Sequence, residues 1–340
     1  MTSLARSFAL PAALALVAAA TVLIFGGPEA FLAVALLALL ETGLSFDNAV
    51  VNAQVLKRMP PVWQRRFLTW GIAVAVVGTR LILPILVVSA AGWVSPVSVA
   101  LLAFSDGEAY GLLVEGARIG IAAFGGAFLL MLSLRYFFNV EKSVHWLSAI
   151  ERRLARLGSI ESIEAIVTAF AVIAAAFFAP PGAHETVLIA GALGIALSIA
   201  VERAVSFFSK GLAMPAHAGQ AGAAASHGLA LFVYLEILDT AFSLDGVVGA
   251  FALTTSVVLI VIGLGIGAYF VRTLTIYLTE HRILDSLIFV EHGAYWAIFG
   301  LAVSMFVGLA LPVPEYVTGS VGFCFMFAAY LSSRRAGRLL

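Results

Sequence analysis

Between Arg6 and Glu29 the chain carries no charged side chain, and apolar runs of this kind recur almost to its end. A membrane-spanning helix needs roughly 20 predominantly apolar residues, because the bilayer core is about 30 Å thick and a helix rises about 1.5 Å per residue. On that ruler the sequence offers about ten candidate spans: 8–25, 30–54, 67–90, 119–138, 162–179, 184–202, 228–250, 254–277, 293–311 and 315–332. Composition closes the alternative of soluble domains. Of 340 residues, 62% are hydrophobic and 11% charged, with a mean hydropathy of +1.07; a globular chain has roughly 45–50% and 25%. A soluble core stops growing well before it could hide so much apolar surface. The expected fold class is an all-α polytopic membrane protein whose main partner is the lipid bilayer.

Charge narrows the function. The 19 basic and 19 acidic residues cancel, so nucleic acid finds no electrostatic footprint. Cys324 stands alone, which excludes an internal disulfide and a thiolate metal cluster within one chain. The first apolar run has a second reading as a secretory signal, since Arg6 precedes it and small residues surround Ala18. It is long for that role and no clean cleavage site follows, so a retained helix is expected.

Cytoplasmic loops collect Lys and Arg. Here Arg6, the group Lys57, Arg58, Arg65 and Arg66, the group Lys142, Arg152, Arg153 and Arg156, the pair Arg203 and Lys210, Arg282, and the group Arg334, Arg335 and Arg338 fall on every second connection. The alternate loops, around Pro28, Ser95, Pro180, Thr255 and Pro312, hold hardly any basic residues, Arg118 excepted. An even number of spans follows, with both termini cytoplasmic in the inner membrane. Three stretches stand apart. Residues 92–120, interrupted by Asp106, Glu108 and Glu115, are expected as an external loop with room for a short re-entrant piece. Residues 141–157 place Val144, Leu147, Ile150, Leu154 and Leu157 on one helical stripe flanked by Trp146 and charges, which suits a helix lying on the inner membrane surface. The Ala- and Gly-rich segment 211–226 reads as a flexible connector.

The chain echoes itself. Glu41-Thr-Gly-Leu-Ser-Phe-Asp47-Asn-Ala-Val50 in the second candidate span matches Asp239-Thr-Ala-Phe-Ser-Leu-Asp245-Gly-Val-Val248 in the seventh, with acid, threonine, serine, acid and valine in the same order and spacing. Downstream, Gly71 and Arg80 match Gly263 and Arg272 with the same gap, and Gly126-Ala-Phe resembles Gly293-Ala-Tyr. An odd difference between the span numbers puts the copies in opposite membrane orientations. The expected organisation is therefore two inverted repeats of about five helices each, 1–180 (with the surface helix near 141–157) and 181–340, forming one integral membrane domain. Such repeats bring a substrate site to the midplane.

Each motif helix carries acids at depth: Glu41 and Asp47 in one, Glu236, Asp239 and Asp245 in the other. An ionised group at a bilayer centre costs several kcal/mol even on the lenient insertion scale, so acids placed there are functional by default. Glu41, Ser45 and Asn48 share a helical face, whereas Asp47 lies about 120° from Glu41. Unwinding near Asn48 and Gly246 would bring these groups together and free backbone carbonyls, a device of ion-binding broken helices. The ligand set is oxygen only: carboxylates, the Asn48 amide, and the hydroxyls of Ser45, Ser243, Thr42 and Thr240. Hard oxygen suits Mn²⁺, Ca²⁺ or Mg²⁺, while Zn²⁺ and copper recruit imidazole or thiolate. More carboxylates than one divalent ion needs also makes proton exchange a natural partner of metal movement. Arg80 and Arg272 could each pair with a site carboxylate, although an Arg near a span end more often snorkels to headgroups; their repeated positions favour a structural pair shared by both halves. Glu291-His292 is expected at the membrane interface, with a proton relay as the minority reading.

At these motifs the sequence resembles the TerC-like integral membrane proteins, in a branch without assigned function. The resemblance rests on Leu40–Asn52, Leu235–Val248, Phe270-Val-Arg272 and Glu291-His-Gly-Ala294, and covers about 37–305. It implies a place in the wider LysE-type transporter superfamily, in which several members are linked to manganese efflux and some relatives to metal supply for exported enzymes. Transferred by position, it implies a metal site of Glu41, Asp47, Asn48, Glu236, Asp239 and Asp245, with Ser45, Ser243, Arg80 and Arg272 beside it.

The expected function is a divalent metal transporter, with Mn²⁺ efflux by alternating access in front. The runners-up are a Ca²⁺/H⁺ exchanger and an interaction protein, docking through 141–157, that supplies metal to secretory-pathway enzymes; homo-oligomers are compatible with all of these. An enzyme is not expected. Gly43-Leu-Ser45-Phe46 fits a nucleophile pattern only loosely, its second copy has Ala241 in place of the glycine, and no histidine stands beside either serine.

Overall fold

The computed structural model describes residues 3–92, 94–210, 220–251, 253–311, 313 and 315–336; at 3–5, 44, 68, 90–92, 208–210, 220–226, 244, 245, 248, 315, 316, 318 and 319 it describes the backbone alone. Among the described residues the chain is helical and contains no strand. In order the helices are α1 Ser3–Leu44, α2 Phe46–Leu56, α3 Pro61–Ala73, a π-helical segment Val74–Ile82, α4 Leu83–Gly92, α5 Pro96–Ser105, α6 Gly107–Phe137, α7 Ser148–Leu157, α8 Ile163–Phe178, α9 His184–Lys210, α10 Gln220–Ala250, α11 Val257–Glu280, α12 Val290–Gly308 and α13 Glu315–Ala336. Among the described residues six stretches are long and apolar enough to cross a membrane: Arg6–Gly43, Pro61–Ser89, Gly107–Phe137, His184–Phe207, Val257–Glu280 and Val290–Gly308. The chain is a multi-pass helical membrane protein. In α1, Leu16 is 71% and Phe25 86% exposed; in hydrocarbon an outward apolar side chain carries no penalty.

The hydrogen-bonded run of α1 hides a break. Gly27 takes φ 80°, ψ −178°, a conformation suited to a residue without Cβ, and Pro28 follows it. The expected division between 8–25 and 30–54 therefore falls on a backbone kink rather than a loop.

One of the expected irregular stretches, and the end of another, are helical. Within 92–120, α5 and α6 replace the anticipated external loop. Asp106 sits between them and caps α6, its carboxylate accepting the Ala109 N–H at 3.0 Å. Glu108 lies in the first turn, where an acid complements the helix dipole, and Glu115 pairs with Arg118 one turn on at 3.0 Å. The charges that interrupt the apolar run are helix-start and helix-surface charges. In the expected connector 211–226, residues 211–219 lie outside the described residues, and 220–226 open α10.

The chain divides into two compact units, 1–118 with 205–281 and 119–204 with 282–340. In the first, α1 and α2 pack on α11, while α10 packs on the π segment and α3. Glycines allow the close approach of α1 to α11: a Cβ at Gly263 would crowd Leu37 and the Val34 carbonyl, and one at Gly267 would crowd the Glu41 stem. This Gly-x-x-x-Gly spacing lets helix backbones come together in a membrane.

In the second unit, α12 packs along α13, with Gly293 against Ala329 and Gly300 against Val321. The surface helix expected over 141–157 is shorter, beginning at Ser148. Its Ile150 and Leu157 are exposed, as is Val144 ahead of it, while Leu147 and Leu154 of the same stripe are half-buried. Glu151, by contrast, is fully buried: it pairs with Lys142 at 2.8 Å and accepts hydrogen bonds from the Trp296 indole at 3.1 Å and the Leu147 N–H at 3.2 Å. Burial alone would raise its pKa, but these donors prevail and hold the carboxyl below its usual value. His292, expected at the interface with Glu291, does stand in the first turn of α12, yet it is buried. Its Nε2 meets the Val144 carbonyl at 2.8 Å and its ring lies edge-on to Tyr136.

Candidate cation site

The paired acidic motifs meet inside the first unit. The first spans the junction of α1 and α2, where Ser45 leaves helical geometry for one residue (φ −94°, ψ 18°). The second lies within α10, which runs unbroken through Gly246; the unwinding expected there does not occur. The motifs are joined by Asn48, whose side-chain amide donates to Asp239 Oδ1 at 2.9 Å. Glu41, Asp47, Glu236 and Asp239 are all buried, at 6–7% exposure, and Asn48 is 1% exposed. The side chain of Asp245 lies outside the described residues.

Both repeated arginines are buried with these acids instead of snorkelling. Snorkelling needs a water-facing path, and each guanidinium has a closer anionic partner. Arg80 hydrogen-bonds Glu41 Oε1, donates to Ser243 at 3.1 Å, and also reaches Thr79 and the Ala75 carbonyl at 3.1 and 2.5 Å. It projects from the π-helical segment, the kind of local widening that often marks functional sites in helices. Arg272 holds Glu236 through two parallel bonds of 2.9 and 3.2 Å, donates to the Phe67 carbonyl at 3.1 Å and lies over the Phe67 ring at 4.1 Å. Gly71 makes room for this arrangement, since a Cβ there would overlap the Arg272 guanidinium.

Asp239 lies between the two cations. Its Oδ2 is 3.8 Å from Arg80 Nη1 and 3.7 Å from Arg272 Nη2, yet it accepts no hydrogen bond. Asn48 Oδ1 and Asn52 Oδ1 are likewise buried without a donor. Among the described residues this unit buries four carboxylates, Glu41, Asp47, Glu236 and Asp239, and two guanidiniums, a formal balance of −2 if all are ionised. Uncompensated negative charge beside unused oxygen acceptors is the chemistry of a cation site.

The hydroxyls are less available than their spacing promised. Ser45 donates to Glu41 at 3.3 Å, Thr42 is turned back onto the Ala38 carbonyl at 2.7 Å, and Ser243 accepts from Arg80. Asp47 Oδ1 is engaged by the Asn48 N–H at 2.9 Å. Among the described residues no three acidic, imidazole or thiol side chains converge on a single point. Asn52, Gly71 and Gly267 belong to the site surroundings although the sequence did not single them out as such; Asn52 stands one helical turn beyond Asn48, and Gly267 is four residues past Gly263. A crevice of about 570 Å³ in the second unit, lined by residues such as Leu130, Phe178, Phe299 and Val303, presents apolar side chains and gives an ion no ligands.

The family model described as Protein of unknown function (DUF475) matches residues 46–339. No curated protein and no solved structure matches the chain.

Proposed function

The chain belongs to that family, whose description assigns no activity, and from the site itself we propose that it is a divalent cation transporter of the cytoplasmic membrane. One observation carries the reading: among the described residues of this unit buried carboxylates outnumber buried guanidiniums, and Asp239 Oδ2 and Asn48 Oδ1 have no donor. A formal −2 is balanced by one divalent cation or by two protons, which supports exchange of metal against protons. Oxygen ligands favour Mn²⁺ or Ca²⁺ over Zn²⁺. Mn²⁺ efflux is the leading assignment, in keeping with the resemblance to TerC-like proteins, and a Ca²⁺/H⁺ exchanger would use the same groups.

The proposed architecture is a pair of inverted repeats with both termini cytoplasmic. It is supported by the matched motifs and by a reciprocal packing: α1 and α2, with the first motif, lie on the helix of Arg272, while α10, with the second, lies on the segment of Arg80. Alternating access at such a repeat interface would carry the ion across. A second reading, a membrane protein that hands metal to exported enzymes, draws on the outward apolar residues Ile150 and Leu157 of α7 as a docking face.

Flux of Mn²⁺, Ca²⁺, Mg²⁺ and Zn²⁺ into proteoliposomes holding only this chain, under an imposed pH gradient, tests the proposal. Transport is expected for Mn²⁺ or Ca²⁺ with counter-movement of protons. If none of the ions moves faster than in protein-free vesicles, the transporter reading falls and metal hand-over takes its place.

A further inference from the structure

Arg80 and Arg272 are repeated partners, but they do not divide the acids evenly. Arg80 is anchored on Glu41, and Arg272 on Glu236. Asp239 is left to both, at 3.8 and 3.7 Å, near enough for charge attraction and too far for a hydrogen bond. Its Oδ2 is buried without a donor, and the unused Oδ1 of Asn48 belongs to the amide that already holds the other Asp239 oxygen. A cation bound to Asp239 through Oδ2 would share it with two fixed positive charges.

Resting on the cation-site reading above, we infer that Arg80 and Arg272 are tethered counter-ions that compete with the transported divalent cation for Asp239. When the cation is away, the guanidiniums neutralise Asp239 and hold the motif helices together. When it arrives it takes Asp239 Oδ2, and the arginines keep Glu41 and Glu236 as their partners. The competition weakens binding on purpose of release. An ion pathway needs a site favourable enough to fill and weak enough to empty, and a bare group of buried carboxylates would bind a hard divalent cation too tightly to turn over. Two glycines fit this role, since Gly71 gives the Arg272 head its place and Gly267 does the same for the Glu41 stem.

The experiment is calorimetric titration of Mn²⁺, and of Ca²⁺ in parallel, into the full chain in detergent. It compares wild type, Arg80→Gln, Arg272→Gln, Glu236→Gln and the double variant Glu236→Gln/Arg272→Gln. Loss of a competing arginine is expected to tighten divalent binding by about tenfold or more, equal to about 1.4 kcal/mol, and to slow vesicle flux because release slows. A purely structural arginine would leave affinity unchanged or weaken it, and that result overturns the inference. If the single arginine variants do not fold, the double variant carries the test against Glu236→Gln alone, because it removes a charge pair together and leaves neither partner stranded. If wild type and every variant bind neither ion, the cation-site reading fails. If wild type binds and arginine removal brings no gain, only the counter-ion role fails.

Discussion

Asn48 reaches across 191 positions of sequence to donate its amide to Asp239 at 2.9 Å. That single bond ties the junction of α1 and α2 to α10, and it fixes the Asn48 amide so that its oxygen, the candidate ligand, is the atom left unpaired. A buried acceptor without a donor is costly wherever it stands. The acids around it place that cost where a cation would remove it.

Gly71→Ala should disrupt the site without touching an acid. The added methyl would overlap the Arg272 guanidinium and crowd Glu236, and overpacking of this kind costs about 1–3 kcal/mol. Gly43→Ala, where a Cβ meets nothing within 4 Å, should be neutral or stabilising by up to about 1 kcal/mol through helix propensity. Thermal unfolding in detergent, with flux measured alongside, checks the pair; equal behaviour of the two variants would contradict the packing described at Arg272.

Glu236→Gln should destabilise the chain by about 3 kcal/mol, because it leaves a buried guanidinium short of its bidentate partner. Glu236→Gln/Arg272→Gln should cost clearly less than the sum of its single changes, since no stranded charge remains. A double-mutant cycle on unfolding midpoints reads the coupling, and additive costs would mean the bond pair at 2.9 and 3.2 Å carries little energy.

Asp47→Asn and Asp245→Asn should each lower Mn²⁺ transport by about tenfold or more, because hard cations depend on carboxylate charge. Expression should hold, since a neutral amide is cheaper in lipid than an anion. Glu141→Gln, at an exposed position ahead of α7, serves as the control with normal flux. Retention of export and of Mn²⁺ stabilisation in both Asp variants would remove these acids from the metal site.

Glu151→Gln is expected to destabilise by about 2 kcal/mol, the scale of charge-assisted hydrogen bonds lost from a buried carboxylate. The pH dependence has a definite sign. The folded pKa of Glu151 is lowered, so its contribution is complete above the unfolded value near 4.3 and disappears as pH falls through the lower folded value. Melting temperatures followed from about pH 6 to pH 3 should fall in the wild type at the acid end, and Glu151→Gln should lack that component. Parallel curves for the two proteins would show that Glu151 is not the titrating group.

The sequence by itself determined the solvent and the helical class, and it singled out the paired acidic motifs. These are one-dimensional properties: a run of apolar residues has a length that a bilayer either accepts or does not, and a motif repeated in order and spacing can be read without a fold. It also identified Arg80 and Arg272 as equivalent positions. Only the tertiary structure decided how they pair, because Arg80 and Glu41 lie 39 positions apart and Arg272 and Glu236 lie 36 apart, and many helix packings satisfy the same local pattern. The same holds at Glu151, which spacing placed on a surface helix and which packing buried under Trp296 and Lys142. At 92–120 the charges read locally as a loop, yet Asp106 caps a helix whose close packing at Gly107 depends on Thr255 from far along the chain. A carboxylate has the same hydropathy whether it caps a helix, binds an arginine or faces water; what distinguishes these fates is which donors the fold brings within hydrogen-bond reach.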